Sequence, residues 1–182
     1  MKKYIALLRG INVSGHKIIK MEDLRQKMER SGFESVKTYI QSGNIVFKSK
    51  SSSAEWVQKS IVSLIKKDYG FDVGVIILDE SDIEKAIANN PYSHEKESGT
   101  KRIYVVFLSA VPSAENVALL DVQKFAPDEF EVVGSNIYIR FANSASDSKF
   151  TNTYIESRLK VVSTTRNWNT TLKLQEMITA MD

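Results

Sequence analysis

Short apolar runs that end in glycine, proline or polar clusters alternate along this chain with segments whose apolar residues recur every three or four positions, so strands and helices are both expected. Lys3 to Leu8 is an apolar run that stops at Arg9-Gly10, as a buried strand does. Met21, Leu24 and Met28 then recur at helical spacing, with Gly32 placed to close that helix. Val36 to Gln41 and Ile45 to Phe47 flank Ser42-Gly43-Asn44, which reads as a tight hairpin. Ser52 with Glu55 makes a capping-box pattern for a helix carrying Val57, Ile61, Leu64 and Ile65, ended by Gly70. Val73 to Leu78 reads as a strand. Ser81 with Glu84 is a second capping-box pattern, for a helix that carries Ile83, Ala86 and Ile87 and stops by Pro91.

Beyond a polar, aperiodic stretch from Tyr92 to Thr100, the same order begins again. Ile103 to Leu108 reads as a strand, Pro112-Ser113 as the start of a helix with Val117 and Leu120, and Glu129 to Phe141 as a hairpin. Phe150 to Leu159 reads as a helix, Val161 to Thr164 as the last strand, and Leu174, Met177, Ile178 and Met181 as one face of a closing helix. Strand, helix, strand, strand, helix, strand thus occurs twice, and Tyr4-Ile5-Ala6-Leu7-Leu8 is echoed by Tyr104-Val105-Val106-Phe107-Leu108. The expected fold class is α+β: duplicated βαββαβ ferredoxin-like halves with antiparallel sheets and an extra C-terminal helix. The expected division is 1–90 for the first half with its trailing helix, 91–100 for a linker, and 101–182 for the second half with the C-terminal helix. Ile5–Leu8, Val75–Leu78 and Ile103–Leu108 are apolar on both sides rather than alternating, so both faces of these strands must be covered.

The two halves differ in one place. Tyr4 to Asn44 is about eight residues longer than Tyr104 to Asn136, and the surplus falls between the first strand and first helix, in Arg9-Gly10-Ile11-Asn12-Val13-Ser14-Gly15-His16-Lys17. Two glycines beside Arg, Asn, Ser, His and Lys side chains supply N–H donors and positive charge suited to a phosphate or carboxylate. The spacing is neither that of a Walker A loop nor that of a dinucleotide-binding glycine turn. Thr164 to Thr171, between the last strand and last helix, holds Arg166 beside Trp168, with Asn167 or Asn169 as a natural N-cap.

Three segments, Leu7-Leu8-Arg9-Gly10-Ile11-Asn12-Val13, Thr38-Tyr39-Ile40-Gln41-Ser42-Gly43-Asn44 and Thr165-Arg166-Asn167-Trp168-Asn169-Thr170, resemble the hallmark segments of the bacterial domain of unknown function 1697 family. The resemblance runs over essentially the whole chain and implies no established activity, cofactor or substrate. It also marks a departure. Where the family pattern implies a Gly-x-Gly-Arg-Ser-Lys-like run, this chain has Ser144-Ala145-Ser146-Asp147-Ser148-Lys149, with Asp147 in the place of a basic residue.

Composition narrows the chemistry. The 182 residues include no cysteine and two histidines, so no disulfide framework, thiolate nucleophile or zinc-thiolate site is expected. His16 and His94 show no metal-ligand spacing, and no Gly-x-Ser-x-Gly elbow is present. Arg9 cuts the first apolar run too early for a signal peptide, and no apolar stretch approaches the ~20 residues of a membrane span, so a cytoplasmic protein is expected, and the family resemblance implies a bacterial one. Residues 1–80 hold 14 Lys and Arg against 9 Asp and Glu; the remainder hold 11 against 13.

The reading is therefore loop binding of an anionic, phosphate- or carboxylate-bearing small molecule. Arg9, Gly10, Asn12, Ser14 and Lys17 would act with Gln41, Ser42 and Asn44 of the hairpin and with Arg166, Asn167, Trp168 and Asn169. Arg9 and Arg166 are expected as charge clamps, Asn12 and Asn44 as hydrogen-bonding groups, and Trp168 as a stacking or packing surface. No catalytic residue, metal or cofactor is nominated. One alternative is a protein-interaction or self-association module without chemistry, forming a homodimer. Another is nucleic-acid binding through the basic first half; it is not favoured, because the RNA-binding aromatic signature is absent and the sheet face is expected to be covered.

Overall fold

The structure, a computed structural model, describes residues 1–94 and 102–182. Most of the expected linker, 91–100, therefore lies outside the described residues. The chain divides into two compact units, Met1–Glu84 with Lys173–Asp182, and Lys85–Leu172. Each contains one four-stranded antiparallel sheet.

In the first unit β1 (Lys2–Leu8) lies between β3 (Asn44–Ser49) and β4 (Val75–Leu78), with β2 (Glu34–Tyr39) outside β3. Tyr4, Ala6 and Leu8 of β1 meet α1 (Met21–Arg30) and α2 (Ala54–Tyr69) in a core with Met21, Leu24, Met28, Val57, Ile61 and Ile65. Phe47 enters this core too, its ring 5.1 Å from that of Phe33. The residues that alternate with these, Ile5, Leu7 and Val46, are equally buried, so the two-sided apolar strand is covered on both faces as expected.

The local signals hold with shifts that hydrogen bonding explains. Ser53, not Ser52, caps α2, because its Oγ accepts from the Trp56 N–H at 3.2 Å, three residues on. Gly70 ends the helix in the left-handed conformation at φ 75°. The start of α3 (Glu80–Ala88) is held by a reciprocal pair: the Asp82 N–H donates to Asp79 at 3.1 Å, and the Asp79 N–H donates to Asp82 at 3.0 Å. That pair replaces the expected Ser81 and Glu84 box, since Asp79 is the last extended residue before the helix. Asp79 also takes an ion pair from Lys2 at 2.9 Å. The hairpin turn is Ile40 to Gly43, and Asn44 already belongs to β3, opposite Tyr39.

In the second unit β5 (Ile103–Leu108) lies between β7 (Asn136–Arg140) and β8 (Ser163–Asn167), with β6 (Glu129–Val133) outside β7. Val106 and Leu108 face a core built from Ile137, Ile139, Phe125, Phe150, Ile155 and Leu159. Ser113 caps α4 (Ala114–Val117), a single turn, and Thr151 caps α5 (Asn152–Leu159), so α5 begins two residues later than its apolar pattern suggests. The largest change is at the end. β8 runs through Thr165, Arg166 and Asn167, which pair with Val106, Val105 and Tyr104. These residues were expected in a loop, but paired against β5 their N–H and C=O groups are satisfied by the ladder. The last helix, α6, is Trp168–Thr179, and Leu174, Ile178 and Met181 of this closing segment are buried.

On the opposite face of this sheet Tyr138, register partner of Val105, is fully buried, and its hydroxyl donates to the Ala86 carbonyl at 2.7 Å. Burial pushes this hydroxyl up to about 12 from the ordinary 10.0. A raised value means the folded state holds the proton more tightly, so its contribution is intact below pH 10 and is lost as pH climbs from 10 towards about 12. Urea unfolding across that range should show stability falling, by at most about 1.4 kcal/mol per pH unit for this group. Tyr138→Phe should start about 1 kcal/mol lower at neutral pH for the lost hydrogen bond and then fall less steeply. Parallel alkaline slopes for the two proteins would show that Tyr138 is not the responsible group.

Candidate anion-binding loops

The long first loop is folded, and hydrogen bonds and one buried side chain hold it at its base. The Arg9 N–H donates to the Gly74 carbonyl at 2.9 Å and the Leu8 N–H to the Gly43 carbonyl at 2.8 Å, which fixes where the chain leaves β1. Gly10 turns the backbone at φ 66°, and Ile11 drops back into the core. Asn12 then clamps the loop. Its Nδ2 donates to the carbonyls of Ile19 at 2.9 Å and Gln41 at 2.8 Å, while its Oδ1 accepts from the Ile19 N–H at 2.9 Å. One amide thus closes the loop on itself and ties it to the 40–43 turn.

Beyond the clamp stands a small hairpin. The Asn12 N–H reaches the Lys17 carbonyl at 3.2 Å, and the His16 N–H reaches the Val13 carbonyl at 2.9 Å. Its exposed tip holds Ser14 at φ 50° and Gly15 at φ 77°, two successive left-handed residues. Among the described residues the N–H groups of Ser14 and Gly15 have no protein acceptor. Lys17 donates its Nζ to the Asp72 carbonyl at 2.5 Å, which holds the ammonium at the loop base.

The neighbouring turn is strained in a way the sequence conceals. Ile40, β-branched and 51% exposed, sits at φ 50°, a conformation such residues avoid. Asn44, fully buried, holds it by donating to the Tyr39 carbonyl at 3.0 Å and the Ser42 hydroxyl at 2.9 Å. Gly43 is required twice over: its φ is 81°, and a Cβ there would lie 2.7 Å from Leu8 Cβ and 3.0 Å from Ile11 Cδ1. Arg9, Gly10, Asn12, Gln41, Ser42 and Asn44 are thus gathered at one end of the first sheet. Asn12 and Asn44 serve there as braces, their amide groups already engaged with protein.

Of the other nominated residues, Arg166 is 7% exposed and lies in β8. Its Nη1 donates to Thr164 Oγ1 and to the Thr165 carbonyl, both at 2.8 Å. Burial pushes the guanidinium down to about 10, so it stays charged at neutral pH. Asn167 is the N-cap of α6, accepting from the Thr170 N–H at 2.7 Å. Trp168 is buried as the first residue of that helix, and Asn169 is exposed. The alternation along β8 separates Arg166 and Thr164 from Ser163 and Thr165, whose hydroxyls donate to Asn152 at 3.0 and 2.8 Å.

No residue of segment 124–128 stands out in the sequence, and segment 144–149 shows there only a departure from a family pattern. Together with Asn143 these segments line a cavity of ≈ 310 Å³. The available signal was compositional: a run of Ser, Asn, Asp and Lys without helical or strand period. Among the described residues no cluster of His, Asp or Glu suits a metal ion, and no helix is long and apolar enough to cross a membrane.

A family model described as "Protein of unknown function (DUF1697)" matches residues 1–138. Over 98% of its length the chain is similar to 99% of a solved structure, the conserved bacterial protein SP0830 from Streptococcus pneumoniae, with 26% identity and a TM-score of 0.70. No curated protein matches it.

The two demands on Gly43 can be separated by comparison with Gly32, whose φ of 94° is also left-handed but where a Cβ would meet nothing within 4 Å. Gly43→Ala should lose more stability than Gly32→Ala, by about 1–3 kcal/mol for the forced contact with Leu8. Chemical denaturation of the two variants checks this, and equal losses would mean that backbone conformation alone demands glycine at 43.

Proposed function

The chain belongs to the DUF1697 family, and from that premise we propose that it binds an anionic, phosphate- or carboxylate-bearing ligand through the loops at the end of its first sheet. One observation carries the reading. The Val13–His16 tip presents two adjacent N–H groups, those of Ser14 and Gly15, in left-handed conformation and without protein acceptors among the described residues. Consecutive N–H groups in such a turn form a concave donor site for an oxyanion, and it stands in the stretch that carries Arg9, His16, Lys17 and Lys20. The Asn12 clamp holds the turn in shape before any ligand arrives, which lowers the ordering cost of binding. Arg9, Gly10, Asn12, Ser14, Lys17, Gln41, Ser42 and Asn44 make up this proposed site; in the second unit, taken by itself, Arg166, Asn167, Trp168 and Asn169 remain proposed ligand-binding residues.

The same reading takes the chain as two ferredoxin-like halves of a duplication, 1–90 and 101–182. Its support is the strand order, β2-β3-β1-β4 in one sheet and β6-β7-β5-β8 in the other, the same arrangement met twice in chain order. A cytoplasmic location belongs to it as well, resting on a chain without cysteine.

A second reading, a self-association module, is favoured by three apolar side chains on these loops, Val13, Ile18 and Ile40, each more than half exposed. Native mass spectrometry of gently purified protein beside Arg9→Ala distinguishes the two. A retained acidic adduct that the variant loses supports anion binding, and inorganic phosphate should then shift the Ser14 and Gly15 amide resonances. A bare dimer, with those amides unmoved by phosphate, supports self-association and ends the anion reading.

A further inference from the structure

The second unit carries a cavity apart from those loops, of ≈ 310 Å³, and its lining is charged in a balanced way. Segment 124–128 contributes Lys124 and Asp128; segment 143–149 contributes Asp147 and Lys149. Each side thus brings one ammonium and one carboxylate. Among the described residues neither lysine is in an ion pair, and neither aspartate is. Lys124 holds its ammonium over the rings of Tyr154 at 5.1 Å and Phe125 at 5.7 Å, and Asp147 Oδ1 accepts from Ser146 Oγ at 3.3 Å, but no opposite charge neutralises any of the four groups, so both signs remain available to a guest.

The cavity is also built in advance. Phe125, buried beneath it, packs its ring 4.8 Å from those of Phe150 and Tyr154. Asp128 binds the two segments together by accepting the Ala142 N–H at 2.9 Å through Oδ1, and among the described residues its second oxygen has no protein donor. The 144–148 turn is set by its own bonds: the Asp147 N–H donates to the Ser144 carbonyl at 3.1 Å, and Ser148 Oγ accepts from the Phe150 N–H at 3.2 Å. Neither segment needs a large rearrangement to receive a ligand.

We propose that this cavity binds a small zwitterion of the amino-acid class, its carboxylate held by Lys124 and Lys149 and its ammonium by Asp128 and Asp147. Charge complementarity selects that class. A polyanion such as pyrophosphate meets two carboxylates, and a polyamine meets two ammonium groups. A molecule bearing one charge of each sign satisfies both pairs. Size is compatible with that class, since ≈ 310 Å³ stands at the small end of the ~300–1,000 Å³ range of ligand pockets. Because Lys124, Asp147 and Lys149 are exposed, solvent screens their attraction and binding is weak, in the micromolar to millimolar class.

Amide NMR of the full chain tests this, with each protein amino acid in turn as the probe and inorganic phosphate and pyrophosphate as comparators. The expected result is saturable shifts for at least one amino acid, concentrated in 124–128 and 143–149. N-acetylation or carboxamide capping of that amino acid should weaken it about tenfold or more, as should Asp147→Asn and Lys149→Gln. Both replaced side chains are exposed, and unshifted resonances elsewhere verify that the variants remain folded. Saturable shifts from phosphate with none from any amino acid overturn the proposal, as does amino-acid binding unaffected by either variant, and so does the absence of any shift.

Discussion

β1 and β5 are buried on both faces, and the arrangement of each unit follows from that constraint. A strand with Ile5 and Leu7 on one side and Tyr4, Ala6 and Leu8 on the other has no side to give to water. It must sit inside its sheet, flanked by two other strands, with apolar cover above and below. In the first unit one of those covers is α1 and α2, whose apolar stripes meet in the core around Tyr4 and Phe47. In the second, the core around Val106 and Phe125 does the same. Burial at ~25 cal/mol per Å² over so many side chains dominates the stability of both units, and surface ion pairs such as Lys59 with Glu55 add little to it.

A central strand also decides where function can be placed. With its faces occupied, only its ends remain for loops, and at the end of β1 the chain leaves through Arg9 and Gly10 into the long insertion. The loop is held there by polar rather than apolar means. Three hydrogen bonds from one asparagine side chain, a lysine on a carbonyl and two strand-end backbone bonds do what a hydrophobic plug alone would not. The strain at Ile40 is retained in the adjoining turn because Asn44 and the Gly43–Leu8 approach over-determine it. In the second unit the buried Arg166 guanidinium donates to Thr164 and Thr165, its neighbours on β8.

Much of the fold was legible residue by residue. The strands at Ile5, Ile45, Val75 and Ile103, the helix stripes at Met21–Met28 and Val57–Ile65, and the stops at Gly70 and Gly32 all followed from period and chain-end chemistry. The misplaced caps are of one kind. Ser52 against Ser53, and Ser81 with Glu84 against Asp79 with Asp82, are choices between candidate caps one or two residues apart, which only the backbone angle at the helix entry decides. The segment from Thr165 to Asn167 carries no strand-like apolar alternation, so its membership of β8 was hidden until β5 lay beside it.

By itself, then, the sequence determined the order and type of the elements, their apolar faces and most of their ends, because periodicity and capping act within a few residues along the chain. It also determined that β1, β4 and β5 need cover on both sides. The tertiary structure decided which polar residues meet. Asn12 reaches Gln41 across 29 positions of sequence, and Lys17 reaches Asp72 across 55. The cavity brings 124–128 to 143–149, and Arg166 becomes a buried strand residue. These pairings are set by sheet register and core packing, which are properties of the assembled chain that no local window contains.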